Sequence, residues 1–503
     1  MSDEIKDVNV ETDSTAEIAE ETENVCTTQG SADETAIQTK DVGVNFDDDD
    51  EEDDVVGKKK KPKKRKKPLT PEQKKKRAIK ALIITGAVLL ALAIFFSGVA
   101  IANSVGVKAL LKNAKSFAKV EYTQHEQIKP ILDEDGYWTF VAEDNRDFKI
   151  LQFTDVHIGG GSFSQSKDAW AMNAVATMIK AEQPDLVVVT GDIAYPVPFQ
   201  AGTFNNLAAT QIFANMMESL GVYWTFAFGN HDTEAYSMYE RKDICDYYES
   251  AGFEYCLFSR GFASEERGYG NNIIKVKNNK GIVTQAIVTL DSHSYIEGDY
   301  FGMAWKYDNI HQSQVEWYEA EMKKLVEANK QIDAAYDKPV KNLAFFHIPL
   351  VEYREAWAEI FEANEAVSGN KDITVKETEH VKHIYGIMGE SDGKKNGQRT
   401  YGVFCGLHED NFFEIGVMNG LQGTFCGHDH YNNFSVEYTK EVEGEMRTVR
   451  LTYGMSVDYL AYPGIYKEHS QRGCTVITVD GEGSFDCLAK NYYSDYGVNH
   501  EKG

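Results

Sequence analysis

Hydrophobic and polar positions divide this chain into stretches of different pattern. Residues 81–102, ALIITGAVLLALAIFFSGVAIA, carry no charge on any face. At about 1.5 Å rise per residue such a helix covers roughly 33 Å, enough to cross a hydrocarbon core. A buried core helix is the alternative, but core helices seldom lack charge on every face over such a length. From residue 138 onward the pattern alternates. FKILQF at 148–153 reads as a strand, and 168–181 has helical apolar spacing. LVVVT at 186–190, β-branched and bounded by Pro184 and Gly191, reads as a buried strand. A helix over 211–220 and a strand over 222–228 follow. Further strands are predicted over 282–290, 342–346 and 424–426, with helices over 312–328 and 353–361 between them. Near the end, 447–453, 475–480 and 485–491 read as successive antiparallel strands. This order predicts an α/β layered domain, β-sheets covered by helices, over residues 138–496. Residues 363–400, with SGNK and GESDGKKNGQ, form the longest candidate loop: a lid, a binding loop or a tolerated insertion.

Charge changes the picture at the N-terminus. Residues 1–57 are rich in Glu, Asp, Thr and Ser, and end on an unbroken acidic run from Asp47 to Asp54. Such a segment cannot bury enough apolar surface to offset its ordering entropy, so it reads as a disordered tail. Residues 58–80 are basic, with clusters from Lys58 to Lys67 and from Lys74 to Lys80. Lys and Arg thus lie on the N-terminal side of the apolar run. The positive-inside rule then leaves the N-terminus in the cytoplasm. Everything after residue 103 lies outside or in a lumen, as in a single-pass plasma-membrane protein. A cleaved signal peptide, helped by Ala100-Ile101-Ala102, competes with this reading. The stretch before the apolar run is far too long for a signal n-region, which favours an uncleaved anchor. The basic segment is placed against anionic headgroups, each cation contributing about 1 kcal/mol, with the acidic run competing for it. The net charge of −27 argues against nucleic acid as the main partner, and no nucleic-acid-binding domain is expected. Residues 103–137 read as a polar spacer, helical in part.

Cys26 falls in the tail and the other six cysteines in the outer domain. They allow disulfides, with Cys245–Cys256 and Cys474–Cys487 the natural pairs by spacing, or are small buried apolar side chains. No CxxC pair is present, so a thiolate zinc site is not expected.

The chemistry falls where strands end. FKILQF runs into Thr154-Asp155-Val156-His157, and LVVVT into Gly191-Asp192. The strand at 222–228 runs into Gly229-Asn230-His231-Asp232, LAFF into His347, and GTFC into Gly427-His428-Asp429-His430. In open α/β sheets ligands bind beyond the carboxyl ends of the strands, so these endings are delivered to one region. Carboxylate oxygen and imidazole nitrogen suit two ions of Mn, Fe or Zn. In an extended segment residues i and i+2 point the same way, so Asp155 and His157 are expected to share one ion. His428 and His430 can each face a different one. Asp192 is placed to bridge two cations, a spacing suited to phosphoryl displacement. The glycines at 191, 229 and 427 allow the tight turns that bring backbone close to the ions. Each motif alone is mostly turn or core chemistry; their order together carries the reading.

That order, Asp-x-His, Gly-Asp, Gly-Asn-His-Asp, His, Gly-His-x-His, resembles the calcineurin-like metallophosphoesterase superfamily. FFHIPLVEY and FCGHDHYNNF further resemble its purple-acid-phosphatase-related branch. The resemblance covers residues 148–491 and implies a four-layer α/β/β/α sandwich with a dinuclear metal centre at its edge. It implies one metal held by Asp155, His157, Asp192 and His430. It implies a second held by Asp192, Asn230, His347 and His428. By the same resemblance His231 is no ligand but faces the substrate, with Asp232 placed to orient it, and the attacking species is a metal-bound hydroxide. The chain departs from purple acid phosphatases at the first motif, where His157 stands in place of Gly. His157 is expected to take the position of the tyrosinate ligand, with packing or substrate contact the first reading of Tyr195 and metal ligation the second, which puts the iron-based colour and the metal identity in doubt.

The function expected is therefore a membrane-anchored hydrolase of phosphomonoesters or phosphodiesters. A non-catalytic metal-binding surface module that kept the fold is the alternative, with a functional tail carrying the phosphatase as cargo a third. Nucleotide, sugar-phosphate and phospholipid esters all fit these residues. Trp224, Tyr431 and Tyr453 beside the motifs are read as core packing first and substrate contacts second.

Overall fold

The computed structural model describes residues 68–142, 146–264, 266–299, 302–364, 373–408, 410–462 and 472–499. The acidic tail, the cluster from Lys58 to Lys67, Cys26 and part of the 363–400 loop lie outside the described residues.

Two β-sheets stack face to face. The smaller has five strands in the order Phe485–Asn491, Gly473–Val479, Phe148–Phe153, Leu186–Thr190, Trp224–Ala227. Its last three strands are parallel, and Gly473–Val479 is antiparallel to both neighbours. The larger has nine strands. Their order is Ile131–Leu132, Trp138–Val141, Asn272–Lys277, Val283–Thr289, Asn342–Phe345, Leu421–Cys426, Glu445–Tyr453, Ser435–Val442, Val381–Tyr385.

Three apolar layers hold the sandwich. Phe148, Ile150, Leu186 and Val188 of the small sheet meet Ile274, Ile287, Leu343 and Phe425 of the large one between the sheets. Outside the small sheet, helices Gln165–Glu182 and Asn206–Leu220 bury Met172, Val175, Ile179, Ile212 and Phe213 against Leu151, Phe153, Val187 and Val189. Outside the large sheet, Gln312–Ile332, Val351–Ala363 and Phe412–Met418 bury Tyr318, Met322, Trp357 and Phe412. Each fully buried large apolar side chain contributes about 1.5–3 kcal/mol. The architecture is the α/β/β/α sandwich expected, and the reason is the strand pattern. Phe148–Phe153 and Leu186–Thr190 are apolar on both faces because both faces are covered. Local signals set the ends: Asn205 accepts from the Ala208 N–H at 3.1 Å, and Gly221 closes that helix at a φ of 66°.

The C-terminal strands differ from the expectation of successive antiparallel partners. Glu445–Tyr453 lies in the large sheet, parallel to Leu421–Cys426, while Gly473–Val479 and Phe485–Asn491 form a hairpin in the small one. The strand at Ser435–Val442, which pairs antiparallel with Glu445–Tyr453, was not expected. The long loop also holds structure: Val381–Tyr385 forms the edge of the large sheet. Its sequence, VKHIY, is too short and too polar to announce a strand; pairing with Ser435–Val442 supplies the order.

The N-terminal helix runs unbroken from Pro71 to Ala114, 44 residues, with Thr70 and Gln73 making reciprocal capping bonds at its start. Its apolar window is exposed throughout and is long and apolar enough to cross a membrane. Its last turns are no loose spacer: Leu110 and Ala114 are buried in the layer outside the small sheet. Beyond it, Val120 N–H bonds Leu220 O at 2.8 Å and Tyr122 Oη–H bonds Pro184 O at 2.7 Å, strapping the segment to the domain.

The six cysteines of the domain are free thiols. The pair Cys474 and Cys487 fails for a geometric reason. In the hairpin Cys487 stands opposite Ile477, three positions from Cys474, so the two side chains emerge on opposite faces of the sheet.

Candidate metal centre

Every strand ending singled out above lies at the carboxyl end of a parallel strand. Three come from the small sheet and two from the large one. The site therefore sits where the two sheets meet, and cross-sheet bonds hold it: Gln152 Nε2 donates to Cys426 O at 3.0 Å, and His347 Nδ1 to Thr190 O at 2.8 Å.

Asp155, His157, Asp192 and His430 are buried and bring their donor atoms within 4.8 Å of one another. Asp155 Oδ1 lies 3.1 Å from His430 Nε2, yet both atoms lack a hydrogen-bond partner. Beside them Asn230 Oδ1 lies 3.0 Å from His347 Nε2 and 2.9 Å from His428 Nδ1. Asp192 Oδ2 stands between the two groups, 3.4 Å from His157 Nε2 and 3.2 Å from His347 Nε2.

The convergence of Asp155 and His157 does not come from an extended segment, as their spacing suggested. Both occupy left-handed backbone, at φ of 51° and 53°, as do Asp192 at 54° and His428 at 77°. Such conformations cost about 1–3 kcal/mol each in non-glycine residues and persist only where neighbours over-determine them. Here Asp155 N–H bonds Gly191 O at 3.1 Å, and His157 N–H bonds Asp192 O at 3.0 Å. Gly229 is needed for close approach: a Cβ there would sit 2.1 Å from Asp192 Oδ1.

The charge balance suits cations. Burial alone would depress all four imidazoles. The Asp458 and Asp192 carboxylates override it at His157, raised to about 10, and Asp192 does so at His347, raised to about 9. His428 and His430 stay depressed by burial. Burial pushes Asp155 and Asp192 upward, but the imidazoles hold both below the ordinary carboxylate range. Buried oxygens and nitrogens of this kind, two of them orphaned, fit hard or borderline metal ions. The chain carries a candidate dimetal site.

Around these groups lie residues that no motif announced. Asp458 Oδ1 is 3.1 Å from His157 Nδ1, the carboxylate–histidine arrangement that orients metal ligands. Its own carboxylate is held by the backbone N–H groups of Leu460, Ala461 and Tyr462. Glu234 Oε1 lies 2.7 Å from His231 Nδ1, and Tyr295 Oη donates to the same oxygen at 3.0 Å while accepting from Asn230 Nδ2 at 2.9 Å. Glu234, three residues after His231, could have been found by its spacing; Asp458 and Tyr295 had no local signal.

Asp232 requires correction. It does not touch His231. Its carboxylate, raised to about 6 by burial and by Asp192, accepts from the backbone N–H groups of Asp192, Ala194 and Gly229. His231 is oriented by Glu234 instead, because the short 3-10 turn His231–Thr233 carries Asp232 back under the loop. Tyr195 packs its ring 4.7 Å from His157 and 4.9 Å from His231. Of the other aromatics named from the sequence, Trp224 and Tyr453 are buried core residues.

Above the centre opens a cavity of about 270 Å³. Its walls include Tyr195, Tyr236, Tyr295, Tyr307 and Tyr462, with His231, Glu234 and Glu390 supplying polar groups. Glu390 belongs to the long loop, and Lys395 of the same loop sits 3.3 Å over the Trp305 ring at the cavity wall. A second cluster, His293, Asp308 and His311, is engaged in its own hydrogen bonds to Gln314, Asp308 and Glu266 O.

The sequence profile of the calcineurin-like phosphoesterases matches residues 148–432. The chain belongs to this family. Within it, the chain lies on the purple-acid-phosphatase-related branch. It is 24% identical over 351 residues to "Probable inactive purple acid phosphatase 29" of Arabidopsis thaliana, spanning 67% of this chain and 77% of that protein. It is 28% identical over 233 residues to "Phosphatase DCR2" of Saccharomyces cerevisiae, spanning 42% of this chain and 36% of that protein. A dimetal phosphatase from Danio rerio of known structure is 10% identical, with 69% of this chain and 96% of that chain covered at a TM-score of 0.39.

Proposed function

We propose that this chain is a membrane-anchored phosphoesterase that uses two metal ions to hydrolyse phosphomonoesters or phosphodiesters. The observation that carries the reading is Asp192, whose Oδ2 faces His157 on one side and His347 on the other. In this reading Asp155, His157, Asp192 and His430 hold one ion, and Asp192, Asn230, His347 and His428 hold the second. When bound, such a pair neutralises a phosphoryl group and acidifies water at neutral pH. The chain's own residues do the rest. Tyr295 turns the Asn230 oxygen toward His347 and His428. Glu234 holds His231 by Nδ1, which leaves Nε2 to the cavity, where it hydrogen-bonds the phosphoryl group or hands a proton to the leaving oxygen.

The apolar part of the Pro71–Ala114 helix anchors the chain, with Lys and Arg on its cytoplasmic flank and the catalytic domain outside or in a lumen. The name of the Arabidopsis relative, a probable inactive phosphatase, favours a second reading, a metal-binding module without turnover. The purified full-length chain in detergent, supplied with Mn, Fe or Zn, separates the two. About two ions per chain with turnover of p-nitrophenyl phosphate or its bis ester is the result expected. Metal without turnover of either ester would leave the module or an enzyme of narrow specificity. No metal under any condition would sink both. In the enzyme, His231→Ala is expected to lower kcat about 10²–10⁴-fold with metal content unchanged, because the imidazole serves the substrate and not the ions.

A further inference from the structure

The helix that carries the apolar run ends inside the catalytic domain, and the contacts it makes on leaving that run place one face of the domain. Asn103, the first polar residue after the apolar run 81–102, donates from Nδ2 to Gly202 O at 2.7 Å and accepts from the Ser162 N–H at 2.7 Å. One turn on, Gly106 is packed so closely on Gln165 that a Cβ would sit 2.4 Å from its amide nitrogen. Leu110 and Ala114 then enter the core. The helix is continuous from the apolar run to Ala114, so the loops bonded to Asn103 lie near the depth of Asn103. A residue just past a membrane-crossing run lies in the headgroup layer, roughly 5–7 Å thick on each side of the bilayer.

Those loops carry unusual side chains. Phe163 is 58% exposed, Phe199 92%, Phe204 47% and Met238 63%. They form one patch: Phe163 N–H bonds Ala201 O, its ring lies against Gly202, and Met238 N–H bonds Phe204 O. Single exposed apolar residues are ordinary on a soluble surface, whereas a cluster marks an interaction site. Apolar side chains such as Phe and Leu bury into the boundary between headgroups and acyl chains, where each gains by leaving water. The patch lies next to the cavity over the metal centre without lining it. Tyr195 and Val197 line that cavity, Val197 caps the short helix Pro198–Ala201 that bears Phe199, and Phe204 packs 6.3 Å from the Tyr236 ring in the cavity wall.

We propose that Phe163, Phe199 and Phe204 rest in the headgroup layer of the bilayer that the chain's own helix crosses, and that the cavity takes its phosphate ester from a lipid displayed at that surface. The substrate half of this proposal rests on the phosphoesterase reading; the docking half rests on the helix and the patch alone. Water splits the P–O bond of the lipid headgroup, leaving the lipid alcohol in the bilayer and releasing phosphate, or splits a diester into the alcohol and a phosphomonoester.

The test uses the full-length chain in lipid nanodiscs. Lipids bearing a photoreactive diazirine near the headgroup are expected to label peptides containing Phe163 and Phe199 as well as the helix. Labelling confined to residues 81–102 would overturn the docking. Turnover of phosphatidic acid and phosphatidylglycerol is then compared with that of glycerol 3-phosphate and glycerophosphoglycerol, the same esters without acyl chains. The lipid form is expected to be favoured by about tenfold or more in kcat/KM. Phe163→Ser/Phe199→Ser is expected to remove that advantage while leaving p-nitrophenyl phosphate turnover unchanged. Equal turnover of lipid and soluble esters would overturn the lipid substrate. No turnover of any ester, p-nitrophenyl phosphate included, would instead overturn the phosphoesterase reading, and the labelling would still decide the docking.

Discussion

Replacing Asp192 by Asn is expected to empty both ion positions and to lower turnover by about 10³-fold or more, a loss of about 4 kcal/mol or more in barrier stabilisation. The fold should tolerate the change. Asp192 sits at a φ of 54°, a left-handed conformation that Asn adopts more readily than most residues. An Asn oxygen can still accept the His231 N–H that Oδ1 takes at 2.8 Å. What is lost is the anion between His157 and His347, replaced by an amide that is neutral and can present N–H groups where a donor pair is needed. Elemental analysis is expected to fall from about two ions per chain to well below one, with the thermal midpoint of the metal-free chain nearly unchanged. Retention of both ions with full turnover would remove the shared carboxylate from its role.

Asp232→Ala should have the largest effect on stability among the motif residues. The carboxylate accepts three backbone N–H groups, from Asp192 at 3.0 Å and from Ala194 and Gly229 at 2.8 Å. It thereby ties the Gly191-Asp192 turn to the Gly229-Asn230 turn. Alanine leaves three buried donors without partners, at about 1–3 kcal/mol each. The expected fall in the thermal midpoint is on the order of 10 °C, with weakened metal binding because both turns carry site residues. Asp232→Asn distinguishes positioning from proton transfer. If Asp232 only holds backbone, this variant keeps the pH profile of the remaining turnover, while Glu234→Gln, next to His231, alters it. A flattened limb in Asp232→Asn alone would return Asp232 to the role of orienting His231 that its place in the motif suggested.

These two carboxylates also show where a sequence stops being informative. Asp192 is legible because a Gly-Asp pair closing a β-branched strand is one ending among several in a fixed order, and the family match bears out the superfamily those endings resemble. Asp232 is equally visible as a letter, but its partner is not. Whether a carboxylate beside a histidine turns toward it or toward backbone depends on one tight turn and on a loop 40 residues away. Asp458, held against His157 from the far side of the cluster, stands in no motif at all. Tyr295 and Glu390 reach the cavity from loops whose composition says only that they are loops.

Local pattern by itself determined the strands at 148–153, 186–190 and 222–228 and the two long helices between them, because each strand is apolar and bounded by turn residues. It did not announce Trp138–Val141, Arg241–Ser250 or Asn272–Lys277. It determined the apolar run, because a span of that length without charge is a property of consecutive residues. It also determined which side chains close the strands. The tertiary structure alone decided which sheet each C-terminal strand joins, since pairing is set by partners far along the chain. It decided that Cys474 and Cys487 face opposite sides of one hairpin, since register and not spacing controls that. And it decided that the segment after the apolar run is packed into the core through Asn103, Gly106, Leu110 and Ala114. The first and last of these rest on long-range contacts, and residues that meet across a fold leave no periodic trace along the chain.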